Sequence, residues 1–143
     1  GGIDSITWMN QTISKIRQYS NRHIVVRAHP GDKKTRSELY VNHPNASLSN
    51  RDRLRDDLDN AWATVVYNSS PSVASAIEGI PTFLTDPMPE RSQSFAVANT
   101  DLSKLENPDL PERYNWIEKL AMCHWTFEEL RSGEAWQFFK KYI

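Results

Sequence analysis

The sequence of 143 residues has one cysteine, Cys123, and a formal net charge of only −1. A lone cysteine cannot form an internal disulfide, which favours a reducing compartment such as the cytoplasm. No apolar run approaches the ~20 residues that a membrane-spanning helix needs, and no charged-then-apolar stretch indicates a signal peptide. The charge balance lacks the basic excess that is typical of nucleic-acid-binding proteins. We therefore expect a cytoplasmic protein without a transmembrane segment and without a nucleic-acid partner.

Several motif classes are also missing. The sequence contains no Gly-x-Gly-x-x-Gly and no P-loop, so dinucleotide-binding and ATPase functions lose their usual support. His23, His43 and His124 lack the i, i+4 spacing and the cysteine pairs of a metal site. Cys123 and His124 are adjacent, and neighbouring helical side chains diverge by about 100°, which disfavours a Cys-His nucleophile pair. We expect no metal site.

The apolar residues alternate between helical and strand periodicity. Asp4 or Ser5 is the predicted N-cap of the first helix, and Ser49 or Asn50 that of the third. Residues 86–112 are expected to be loop-rich, with one helical turn near Leu102. Helices are predicted at Ser5–Tyr19, Thr35–Val41, 51–61, 70–79, 112–125 and 126–143, with a break near Gly133, and strands at His23–Ala28, 46–49, 62–68 and 80–86. This order predicts an α/β fold over 1–143, with a small parallel sheet of about four strands, helices on both faces and the C-terminal helices packing back.

The stretch TVVYNSSPSVASAIEGIPTFLTD places a polar turn at the end of an apolar strand. Ligands of open parallel sheets bind outside the carboxyl ends of the strands. Asn68, Ser69, Ser70 and Ser72 lie at such an end and open a helix, whose first N–H groups and dipole favour an anion. The pattern therefore indicates a cradle for a phosphate or a carboxylate. The alternative is that these residues are ordinary helix caps.

Three further residues fit the same chemistry. Glu78 precedes the helix-ending Gly79, where the helix dipole opposes a carboxylate, so we expect a compensating partner such as ribose hydroxyls. Arg27 and His29 lie at the end of the first strand, and a cation beside an imidazole suits diphosphate binding or proton transfer. The competing interpretations are an exposed glutamate without a function and a histidine that caps backbone groups before Pro30.

The segments IVVRAHP and DLDNAWATVVYNSSPSVASAIEGIPTFLTDP resemble the C-terminal half of two-domain GT-B glycosyltransferases, closest to the capsule-polysaccharide and Kdo-transferase type. The resemblance covers about residues 1–90. It implies a single Rossmann-like, three-layer domain that binds the nucleotide-sugar donor. By motif, Arg27 and His29 correspond to the Arg-x-His-Pro strand end, Ser69 and Ser70 to the Ser-Ser phosphate turn, and Glu78 to the acid near the Gly-x-Pro.

The resemblance further implies a function in surface or capsule polysaccharide synthesis. The substrate would be a UDP-, GDP- or CMP-linked sugar, no cofactor would be required, and His29 is the candidate catalytic residue. The chain begins Gly1-Gly2 without a methionine, which predicts a fragment or a domain whose partner half lies upstream. The resemblance implies that this N-terminal half or a partner chain completes the enzyme and that the isolated domain is inactive.

Two alternatives stay open. One is a non-catalytic binding or assembly module that keeps the fold and uses the aromatic tail as an interface, with Trp116, Trp125, Trp136, Phe127, Phe138 and Phe139. The other is half of a nucleotide-sugar epimerase, which would also need an upstream half with acid and base residues.

Overall fold

The structure is a computed structural model that describes residues 4–28 and 38–124, with side chains up to residue 119. Within these ranges the chain is mixed α/β and divides into two compact units, one up to Arg51 and one from Asp52 onward. The predicted helix at 126–143 lies outside the described residues. The helix predicted at Thr35–Val41 lies only partly outside them: residues 35–37 are not described, residue 38 is helical, and residues 39–41 are not helical.

Helix α1 spans Ser5–Arg17 and opens the first unit. Asp4 caps it, as predicted, by accepting a hydrogen bond from the Thr7 backbone N–H at 3.1 Å. The helix ends earlier than the predicted Tyr19 because the Tyr19 amide already bonds the Ile16 carbonyl in a tighter, three-residue turn. Its buried stripe consists of Met9, Thr12, Ile13 and Ile16, which recur at helical spacing.

The first sheet pairs strand β1 (Ile24–Val26) with strand β2 (Ala46–Leu48) in parallel, with Ile24 opposite Ala46. Arg17, in the last turn of α1, fixes the entry into both strands. Its guanidinium donates hydrogen bonds at 2.7–3.2 Å to four backbone carbonyls, those of Ser20, Arg22, Pro44 and Asn45. One side chain thus satisfies loop carbonyls from two distant segments.

The second unit begins with the short helix α2, Leu54–Leu58. The predicted caps of this helix, Ser49 and Asn50, are wrong. The N-cap is Arg53, whose side chain makes no capping bond. The Ser49 hydroxyl accepts instead from the Arg51 amide at 3.2 Å, and two aspartates in the first turn of α2 supply the negative charge that the helix dipole favours.

Strand β3 (Thr64–Val66), helix α3 (Pro71–Ile77) and strand β4 (Thr82–Leu84) form a β-α-β unit. The two strands pair in parallel, with Thr64 opposite Thr82, and the segment at Asn99 bridges the other side of β4. A parallel pair with one helix between the strands is the connection that the sequence order predicted.

The core of this unit is apolar, with a hydroxyl network at one end of the sheet. Phe83 is completely buried. Ser75 of α3 is also buried and accepts from the Thr82 hydroxyl at 2.7 Å, while its own Oγ contacts Thr64 Oγ1. Among the residues whose side chains the structure describes, the other buried apolar residues of the unit are Leu58, Val66, Val73, Ala74, Ala76, Ile77, Leu84, Val97 and Leu105.

The segment after β4 is loop-rich, as predicted, and contains 3-10 turns at Pro89–Arg91, Phe95–Val97 and Leu102–Lys104. Helix α4 then spans Tyr114–His124. Trp116 of α4 donates its indole N–H to the Gln93 carbonyl at 2.8 Å, which ties the start of this helix to the loop region.

The described chain therefore has two small parallel sheets of two strands each and four α-helices. The predicted α/β class and the predicted parallel pairing of strands are confirmed in these two small sheets. In the described part, no helix has the length and apolarity to cross a membrane.

Candidate functional site

The carboxyl ends of β3 and β4 meet in a polar cluster. Asn68 follows β3 and Asp86 follows β4, and the Asn68 side-chain amide donates to Asp86 Oδ2 at 2.7 Å. Asn68, Ser69 and Ser70 are all exposed. The sequence-predicted turn is thus on the surface, at the edge of the sheet where ligands of parallel α/β sheets bind.

Asp86 is the anchor of this cluster. Its side chain is fully buried, and its Oδ1 also accepts from the Met88 amide at 2.9 Å. Arg91 Nη2 donates to both carboxylate oxygens, at 2.9 and 3.0 Å. The Arg91 hydrogen bond, followed by those from Met88 and Asn68, lowers the pKa of Asp86 to about 2, although burial opposes the shift.

Arg91 places a positive charge at the carboxyl edge of β3 and β4. It lies in the 3-10 turn after β4, and 54% of its side chain is exposed. Sequence reasoning missed both Asp86 and Arg91. The available signal was the Asp-Pro that directly follows the second apolar run, with an arginine five residues after the aspartate.

The serine pair does not act as a conventional cap. Ser70 is the N-cap of α3, yet its backbone is helical and its side chain makes no capping bond. Within the described residues the structure gives the hydroxyls of Ser69 and Ser70 no hydrogen bond. This argues against the capping alternative and leaves two hydroxyl donors exposed beside Asn68.

The helix amides contribute less than the sequence predicted. Pro71 has no N–H, and the amides of Ser72 and Val73 donate to the carbonyls of Ser69 and Ser70 at 3.0 and 2.9 Å. These are tight three-residue bonds of a first helical turn. The expectation that the first amides of α3 are free for an anion is therefore wrong for both of these residues.

Ser72 does not face solvent either. It is completely buried; its hydroxyl donates to the Ser69 carbonyl at 2.7 Å and accepts from the Ser94 hydroxyl at 2.8 Å. The Ser92 hydroxyl contacts Ser94 at 3.0 Å and extends this buried chain. Ser72 thus stabilises the turn from its buried side. We therefore do not count Ser72 among the residues that contact a ligand.

Glu78 lies at the other end of α3. The chain leaves the sheet at the carboxyl end of β3 and must return to the amino end of β4, so α3 runs antiparallel to both strands. Its seven residues span about 10 Å. Glu78 is half-buried at the far end, and among the described residues the structure gives its carboxylate no hydrogen bond. The structure does not bring Glu78 together with Ser69 and Ser70.

Arg27 lies in the first unit, after β1. Its guanidinium donates to the Arg51 carbonyl at 2.6 Å and to the Ser49 hydroxyl at 3.4 Å, so it ties the ends of β1 and β2 together. His29, the candidate catalytic residue, lies outside the described residues. Among the residues that the structure describes, no group of three or more His, Cys, Asp or Glu side chains could hold a metal ion.

Comparison with protein-family models, with curated proteins and with solved structures finds no match to this sequence. The geometry at the carboxyl edge of β3 and β4 is therefore the basis for assigning a function.

Proposed function

We propose that this chain supplies the nucleotide-sugar-binding part of a GT-B-type glycosyltransferase of surface or capsule polysaccharide synthesis. The observation that carries the proposal is the polar edge of the β3-α3-β4 unit. There the exposed Ser69 and Ser70 hydroxyls, which no described residue bonds, stand beside Asn68, whose amide is bonded to Asp86. This is the position at which parallel α/β sheets receive phosphorylated ligands.

In this proposal the two hydroxyls donate hydrogen bonds to phosphate oxygens of a UDP-, GDP- or CMP-linked sugar. The same donors stabilise the charge that develops on the leaving phosphate during transfer. The buried hydroxyl of Ser72 holds the Ser69 carbonyl, which keeps the turn in one conformation and lowers the entropy cost of binding.

The remaining parts of the proposal rest on the sequence resemblance. They are the Rossmann-like sandwich with a sheet of about four strands, the completion of the enzyme by an N-terminal half or partner chain, and the donor-phosphate roles of Arg27 and His29. Parallel pairing in both sheets supports the first of these.

The experiment is calorimetric titration of the full chain with UDP, GDP, CDP, CMP and ADP. We expect one nucleotide to bind, and we expect the Ser69→Ala/Ser70→Ala double variant to lose about tenfold in affinity, because two hydrogen bonds to a charged phosphate are removed. Ser103→Ala is the matched control, since it removes an exposed serine hydroxyl of the same unit that, among the described residues, bonds only Asp101.

Equal affinity in the double variant and the wild type would overturn the phosphate-turn assignment. A Glu78→Ala arm tests the ribose contact that the unfavourable helix dipole at Glu78 predicted. Since Glu78 lies at the far end of α3, a loss of affinity in this variant would mean that the ligand extends along the whole helix. Absence of binding by all five nucleotides would contradict the proposal and favour the non-catalytic binding module.

A further inference from the structure

Arg91 is a cation at the carboxyl edge of β3 and β4 that the sequence analysis did not predict. Asn68 Nδ2 and Arg91 Nη2 donate to the same oxygen, Oδ2 of Asp86, at 2.7 and 3.0 Å. Because Asn68 directly precedes Ser69 in the chain, the shared oxygen places the guanidinium next to the serine turn. The guanidinium and the serine turn are neighbours in the structure as it stands, without any movement of backbone or side chain.

The hydrogen bonds of Arg91 leave part of its guanidinium available. One nitrogen, Nη2, makes both contacts to Asp86. In the part of the chain that the structure describes, the donors on Nε and Nη1 have no hydrogen-bond acceptor, and 54% of the side chain is exposed. An arginine has five N–H donors in a planar arrangement that fits phosphate oxygens.

The buried carboxylate also orders this side chain. A free arginine side chain loses rotamer entropy when it is fixed, whereas Arg91 is already held through both oxygens of a carboxylate that is itself fixed by Asn68 and the Met88 amide. Pre-ordering of this kind favours ligand binding because less freedom is lost on association.

We propose that Arg91 binds a phosphate group of the ligand at the carboxyl edge of β3 and β4, and that Asp86 is its positioning residue. This inference rests on the proposed function for the identity of the ligand as a nucleotide. The binding of a phosphoryl group as such does not depend on it. The site thus takes a diphosphate between the Arg91 guanidinium and the hydroxyls of Ser69 and Ser70.

The first test is titration of the full chain with inorganic pyrophosphate and, separately, with the nucleotide panel. We expect Arg91→Gln to weaken pyrophosphate binding about tenfold or more, because a charge-assisted contact is lost, and Arg91→Lys to retain part of the affinity through its charge. Lys104→Gln is the matched control, since Lys104 is 51% exposed in an ion pair with Asp109 in the same unit. We expect it to bind as the wild type does.

The second test asks whether Asp86 acts by positioning Arg91 or only through its own negative charge. Asp86→Asn removes a negative charge, which on electrostatics alone would strengthen the binding of an anion. We expect it to weaken pyrophosphate binding instead, because Arg91 is no longer held. Stronger binding in Asp86→Asn would overturn the positioning role.

A third measurement needs no variant and so does not depend on whether Arg91→Gln folds. In the ¹⁵N-labelled wild type, the Nε–H resonance of Arg91 should shift on addition of pyrophosphate. An unshifted resonance at saturation, or equal affinity of wild type and Arg91→Gln, would overturn the inference.

The outcomes distinguish the two proposals. Binding of pyrophosphate but of no nucleotide, with loss in Arg91→Gln, would support the Arg91 site and contradict the nucleotide-sugar function. Binding of a nucleotide that is unchanged in Arg91→Gln would support the function and overturn the Arg91 site. Binding of neither probe would overturn both.

Discussion

At the scale of single residues, Ser70 and Ser72 show how position on a helix start decides the role of a hydroxyl. Ser72 is fully buried and bonded on both sides, to the Ser69 carbonyl and the Ser94 hydroxyl. Ser70 is exposed and its side chain makes no cap. The sequence places both in one polar turn, and only the packing of the loop at Ser94 separates a structural serine from a surface one.

We predict that Ser72→Ala lowers the free energy of unfolding by about 1–3 kcal/mol, because the buried Ser94 hydroxyl and the Ser69 carbonyl each lose a partner. Ser70→Ala should change it by less than about 0.5 kcal/mol, as is usual for surface positions. Urea unfolding followed by circular dichroism measures both. Equal stability of the two variants would show that the buried hydroxyl chain does not contribute to folding.

Asp86 and Arg91 take part in a contact network that cannot be predicted from the residues one at a time. A serine-rich turn after an apolar strand is a local pattern, and the sequence made it visible. The pairing of Asp86 with both Asn68 and Arg91 joins the ends of two strands and a later turn. The contact between Asn68 and Asp86 depends on strand pairing, which no local pattern in this chain encodes, whereas Arg91 follows Asp86 by only five residues.

At the scale of elements, Gly79 decides how α3 ends and where β4 begins. Its backbone has φ +81°, a left-handed conformation that glycine adopts without steric cost. The guanidinium of Arg113 packs over it, and a Cβ at this position would lie 3.2–3.3 Å from that group. Two separate effects therefore oppose any side chain at Gly79.

We predict that Gly79→Ala costs about 1–2 kcal/mol of unfolding free energy from the left-handed backbone, with a further cost from displacing Arg113. A double-mutant cycle with Arg113→Ala separates the two, since the backbone cost persists in that background and the contact cost does not. Thermal or urea unfolding of the four proteins provides the numbers. A Gly79→Ala variant as stable as the wild type would contradict the backbone argument.

At the scale of the whole molecule, the ion pair of Asp86 links stability to pH. The pKa of Asp86 is lowered from an ordinary 3.8 to about 2, first by the Arg91 hydrogen bond. The folded protein thus holds this proton less tightly than the unfolded chain, so the stabilisation is present above about pH 4 and is lost as the pH falls toward 2. Within the described part of the chain, Tyr67 and Glu90 are the other titratable groups that act on Arg91.

We predict that the unfolding free energy of the wild type falls more steeply between pH 4 and pH 2 than that of Asp86→Asn. The pKa of Asp101 is also lowered, by hydrogen bonds from Ser103, and gives both proteins a shared background slope. Urea unfolding at a series of pH values from 2 to 7 tests this. Parallel curves would mean that Asp86 does not titrate as its contacts imply.

The sequence by itself determined the parts of this protein that depend on neighbouring residues. Apolar spacing predicted α1, the apolar runs predicted the strands, and Gly79 marked the end of α3. These signals are local because helix periodicity, proline and left-handed glycine act within a few residues. The polar turn at Asn68 was visible for the same reason.

The tertiary structure decided the rest. The antiparallel course of α3 puts Glu78 at the opposite end from Ser69, burial removes Ser72 from the surface, and the meeting of two strand ends brings Arg91 to the site. Each depends on which strands pair and in what register. That pairing is selected by the packing of the whole unit around Phe83 rather than by any short segment, since a buried side chain contacts residues that are distant in the chain.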